Sequence, residues 1–101
     1  MISPGTRQAA EAALRQLDRL LAERPHEVHE DLSEAVRGIV GIRDDLIRRV
    51  RTDGSGKDVL DRVNQLVSIA VGAEFPVTGL HWDRIGTTRD MLRALLAEMA
   101  A

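Results

Sequence analysis

Apolar residues along this chain recur every three or four positions, and four stretches carry that pattern far enough to predict helices. In the first, from about Thr6 to Arg24, Ala10, Leu14, Leu17 and Leu21 form one stripe that Ala13 and Leu20 widen. Ser3 with Pro4 marks a start and Pro25 a stop. The second stretch is predicted from about Pro25 or His26 to Arg51. Val28, Leu32, Ala35, Ile39, Ile42, Leu46 and Val50 keep the spacing, and Val36, Val40 and Ile47 lie along one side of it. These positions cover an arc of roughly 160°, wider than the 100° or so a surface helix needs, which predicts more than one neighbour. Acids begin this stretch (Glu27, Glu30, Asp31) and arginines end it (Arg48, Arg49, Arg51), in keeping with the helix dipole. Gly38 and Gly41 interrupt it at about 1 kcal/mol each relative to Ala, so a close helix approach or a bend is expected there.

After a linker, Thr52–Lys57, the third stretch opens on Ser55-x-x-Asp58, which reads as a capping box, and runs to about Ala73. Val59, Val63, Leu66, Ala70 and Ala73 make its stripe, and Leu60, Val67, Ile69 and Val71 spread it to roughly 200°. This is the most apolar helix, central to the fold or half of an oligomer interface. The fourth stretch follows Pro76 and Gly79. A helix continuous from His81 puts Trp82, Ile85, Leu92, Leu96 and Met99 on one face but places Arg89 among them. A break at Gly86 with a restart at Thr87-x-x-Asp90 avoids this, and the pattern predicts the break.

The very short connection between the first two stretches makes them antiparallel neighbours, and the others permit hairpins, so the expected fold is all-α: an up-down bundle of about four helices in a single domain spanning residues 1–101. Composition agrees. A chain of 101 residues buries roughly 60–70% of its unfolded surface without staples, and a 44% apolar, 2% aromatic content built on Leu, Val, Ile and Ala favours helix-on-helix packing over a sandwich. No disulfide or thiolate metal site is possible without Cys. The opening MISPGTRQAAEAAL lacks a basic region followed by an apolar run, and no stretch approaches 18 apolar residues, so the expectation is a cytoplasmic protein with no membrane span.

Charge argues against general nucleic-acid binding: the net is −2, and the basic residues, thirteen of fourteen of them Arg, are interspersed with acids. Two patterns point the other way. Arg43, Arg48, Arg49 and Arg51 gather at one helix end, and Ile85–Leu95 could form a turn and recognition helix offering Thr87, Thr88 and Arg89. HEVHE is the best metal-like cluster, because on a helix His26, His29 and Glu30 would project from one side. A solvated helix start explains the same residues. GSGKD, Gly54–Asp58, has the look of a phosphate loop but lacks its first Gly, its Ser or Thr after the Lys and a preceding strand, so it reads as a turn. No nucleophile motif or acid-base pair stands out, and neither an enzyme nor a cofactor is expected.

The surplus apolar circumference of the second and third helices leads to the main functional expectation: a protein–protein interaction module, adaptor, regulator or assembly subunit, acting as a homodimer with a further protein partner. The expected contact runs through Leu60, Val67 and Val71 and the side of the second helix bearing Gly38 and Gly41. Phe75 and Trp82, the only aromatics, are expected to plug the end of the bundle. The alternative leaves His81 and Trp82 as a partner contact.

Overall fold

A computed structural model describes residues 3–74 and 82–100, which form four helices: α1 (Pro4–Glu23), α2 (His29–Asp53), α3 (Lys57–Glu74) and α4 (Trp82–Ala100). Ser3 caps α1, its Oγ accepting from the Thr6 amide at 3.3 Å, with Pro at the first turn. The helix ends on Arg24, held left-handed at φ 44°, whose amide donates to the Leu20 carbonyl at 2.8 Å.

Residues 24–28 are then used in reversing the chain, so α2 starts at His29, three residues later than the pattern predicts from His26. Val28 is already in the core, and its carbonyl receives the Leu32 amide at 2.8 Å. The GSG turn works through its glycines. Gly54 (φ 75°) and Gly56 (φ 88°) adopt the left-handed conformation that side chains disfavour, and Gly54 closes α2 by donating to Val50. Ser55 does not cap α3 as expected; its amide and hydroxyl both donate to Asp53 Oδ1, at 2.9 and 2.6 Å.

α4 is one continuous helix, contrary to the predicted break at Gly86. The two threonines that signalled a restart instead bond backwards within the helix, Thr87 Oγ1 to the Asp83 carbonyl at 3.0 Å and Thr88 Oγ1 to the Arg84 carbonyl at 2.8 Å. Gly86 faces Leu21 of α1 at ordinary contact distance. Continuity keeps Ile85 and Leu92 fully buried on one face, each such side chain contributing about 1.5–3 kcal/mol on burial.

The helices pack in a ring, α1 on α2, α2 on α3, α3 on α4 and α4 back on α1. Cross-links at Ser3–Asp45 and Arg19–Asp31 run α1 against α2 in opposite directions, and Arg62–Glu98 with Arg84–Gly72 does so for α3 and α4. An all-α up-down four-helix bundle results. Leu17, Leu20, Leu32, Ile39, Ile42, Val63, Leu66, Ile85 and Leu92 fill its centre. Among the described residues no helix is long and apolar enough to cross a membrane.

Candidate functional site

Three of the four seams between neighbouring helices are closed by polar cross-links. On α1–α2, Gln16 Nε2 donates to Asp31 Oδ1 at 3.3 Å and Glu34 Oε2 at 3.1 Å, and Arg19 pairs with Asp31 at 3.1 Å. On α1–α4, Asp18 receives Arg89 Nη1 at 3.0 Å and Arg93 Nη2 at 2.8 and 3.0 Å. On α3–α4, Arg62 pairs with Glu98, and Arg84 reaches the Gly72 carbonyl.

The Asp18 bridge explains how Arg89 is tolerated beside the core. Partial burial opposes ionisation of Asp18, but the hydrogen bonds and charges of Arg89 and Arg93 outweigh it together, and the carboxyl sits below its usual range. Hydrogen bonds to Asp18 and Asp90 hold Arg89 correspondingly up. A carboxyl depressed in the folded state contributes stability above its unfolded pKa of about 3.9 and loses it as pH falls through the lower folded value. Asp18→Asn is therefore expected to cost about 1 kcal/mol or less at pH 7, Asp18 being two-fifths exposed. Urea titrations at pH 7 and pH 2 check this: the cost should vanish at the lower pH.

The α2–α3 seam is built differently. A Cβ placed on Gly38 would lie 2.9 Å from the Ala9 carbonyl oxygen and 3.2 Å from Ala13 Cβ, so this side of α2 faces α1. At about 100° per residue the opposite flank carries Val36, Val40, Arg43 and Ile47. On α3, Ile69 and Gly72 line a shallow groove with Arg84 and Thr87 of α4. The other flank, towards α2, carries Leu60, Asn64, Val67 and Val71. Each helix thus brings one stripe to the seam at positions i, i+4, i+7 and i+11, Val36-Val40-Arg43-Ile47 and Leu60-Asn64-Val67-Val71.

Val36 and Val67 form the floor, Val40, Ile47 and Leu60 are half-buried, and Val71, at 40%, is the one large hydrophobic exposed among the described residues. Between residues 36–53 of α2 and 57–73 of α3 no ion pair or side-chain hydrogen bond joins the helices among the described residues. Arg43 lies in this apolar strip, its side chain about one-third exposed: its Nε is buried without a hydrogen-bond partner, while its Nη2 makes a long ion pair of 3.7 Å with Asp44 on the same helix.

The structure rearranges the expected contact set. Gly38 is buried against α1 of its own chain, and Gly41, half-buried, faces Thr6 of the same helix α1. Leu60, Val67 and Val71 do come together, against the opposite flank of α2. Trp82 is half-buried against the core with the Arg24 guanidinium 5.4 Å above its ring. Phe75 and His81 lie outside the described residues.

For the metal reading, His26 precedes α2, so the helical spacing that would align it with His29 and Glu30 does not apply. Among the described residues no three His, Cys, Asp or Glu side chains gather as ligands. The recognition-helix reading loses its side chains too: Thr88 is fully buried, and Arg89 is engaged by Asp18 and Asp90. Sequence reasoning set Arg43 in a basic cluster with Arg48, Arg49 and Arg51 and missed its place in the seam. Its signal was a charged residue at i+7 in an otherwise valine and isoleucine stripe.

Comparison with protein-family models, with curated proteins and with solved structures finds no match for this chain.

Proposed function

We propose that the protein is a protein–protein interaction module, an adaptor or assembly subunit, whose contact face is the outer α2–α3 seam. The observation that carries this reading is the seam's construction: between residues 36–53 and 57–73, two apolar stripes without, among the described residues, the polar cross-links of the other three seams, with Val71 exposed and Arg43 Nε lacking an acceptor among them. Grooves between antiparallel helices accept a further helix through apolar contacts at i, i+3, i+4 and i+7.

A second copy is one occupant, and the sequence alone favoured it. Charge favours a different one. Arg37, Arg43, Arg51 and Lys57 flank the seam against two acids, Asp44 and Asp61, so two copies face to face would set a surplus of like charges against each other. Sedimentation at micromolar concentration tests the choice. The wild-type chain should run as an 11.1 kDa monomer. A particle of about twice that mass that falls apart on Val71→Glu would put a second copy on this face, and a dimer indifferent to Val71→Glu would move the contact elsewhere.

A further inference from the structure

Resting on that reading of the seam, we infer that its partner is an amphipathic helix of another protein carrying a carboxylate at the middle of its apolar stripe, seated between α2 and α3 with that carboxylate on Arg43. Three features combine to define this partner. The stripes are apolar at both ends, Val36 and Val40 beside Val71 and Val67 at one, Ile47 beside Leu60 at the other. Each stripe has one polar residue, Arg43 on α2 and Asn64 on α3, ten and seven residues from the turn and so within about one helical turn of each other along the seam. Arg43 Nε is buried and lacks an acceptor.

The outer nitrogens of Arg43, on a side chain about one-third exposed and held among the described residues only by the long 3.7 Å pair with Asp44, can take a closer carboxylate, whose second oxygen also suits the exposed Asn64 amide. A single polar level within an apolar interface fixes register, so the partner's acid must fall opposite Arg43 with apolar residues on both sides. Each stripe covers eleven residue steps, which at 1.5 Å per residue is about three helical turns, the minimum length of the incoming helix. The surrounding Arg37, Arg51 and Lys57 outnumber Asp44 and Asp61 and leave the rim net positive, which steers an acidic segment. A nucleic acid fits less well, since apolar valine, isoleucine and leucine side chains occupy the places where stacking aromatics or phosphate-binding groups are needed.

The test is an amide NMR titration of the full chain with designed helical peptides. The first carries Leu, Leu, Glu and Leu at i, i+4, i+7 and i+11; a second has Gln for that Glu; a third is a scramble of the first. We expect saturable shifts from the first peptide at Val40, Arg43, Ile47, Leu60 and Val71, at least tenfold weaker binding of the Gln peptide, and none from the scramble. In Arg43→Gln protein the difference between the Glu and Gln peptides should disappear. Equal binding of the Glu and Gln peptides to wild-type protein would overturn the carboxylate while leaving the docking face standing. Absence of shifts with every peptide, or shifts mapping away from the seam, would overturn both. A short DNA duplex moving the same resonances as strongly as the Glu peptide would replace the partner helix with nucleic acid.

Discussion

Gly38→Val is expected to destabilise the bundle by about 3 kcal/mol, while Gly41→Ala, three residues further along the same helix, stabilises it by about 0.5–1 kcal/mol. The opposite signs follow from what each added carbon meets. On Gly38 it arrives 2.9 Å from the Ala9 carbonyl oxygen and 3.2 Å from Ala13 Cβ. The first of these is helical backbone, which cannot swing aside as a flexible side chain does, so α1 and α2 must separate and the contacts of Leu17, Leu20 and Ile39 loosen with them. On Gly41 the nearest atom is Thr6 Cγ2 at 3.9 Å, an ordinary contact, and only the gain in helix propensity remains. Gly38→Ala falls between, its propensity gain offset by the clash. Urea unfolding of the three variants checks the order. Gly38→Val matching or exceeding wild-type stability would mean that α1 and α2 are not in this close packing.

That pair also shows what periodicity reveals and what it leaves hidden. Spacings of three and four located all four helices, and two glycines inside a helix announced a close approach. They did not say which helix approaches, because Ala9 and Ala13, whose small side chains admit the contact, look from the sequence like any other helix-forming residues. At Gly38, which the sequence offered to a second copy, the close neighbour is α1 of the same chain.

The predicted break in α4 failed differently. Thr87 and Thr88 are good start signals locally, but their hydroxyls find carbonyls one turn back. Arg89, which seemed misplaced on an apolar face, is matched by Asp18, 71 residues away. Local rules do not see a partner that distant. The metal reading rested on a helix running through His26, and the residues needed to reverse the chain after Arg24 were not legible as such. Of the expected contact residues Leu60, Val67 and Val71, Val67 belongs to the core, Leu60 is half-buried and Val71 is exposed. Their alignment with Val40 and Ile47, and the Arg43 between whose Nε lacks an acceptor, appear only once the ring order of helices fixes which flank meets which neighbour.

Val71→Glu is expected to abolish partner binding with almost no loss of stability, the largest functional effect the account predicts. Val71 is 40% exposed, and surface substitutions of this kind stay within about 0.5 kcal/mol; Glu is also a better helix former than Val. At a docked interface the same change puts a charge into an apolar contact and faces it towards an acidic partner. Losing an apolar anchor alone costs about 2 kcal/mol or more, roughly thirtyfold in affinity, and the misplaced charge adds to that. Arg15→Glu is the matching control, an equally exposed charge change on α1.

Capture from native lysate of the source cells, with wild-type, Val71→Glu and Arg15→Glu proteins of equal thermal stability as baits, tests the central claim most directly. The account predicts a protein retained by the wild type and Arg15→Glu and lost with Val71→Glu. Identical captured proteins on all three baits would contradict the α2–α3 seam as the working face.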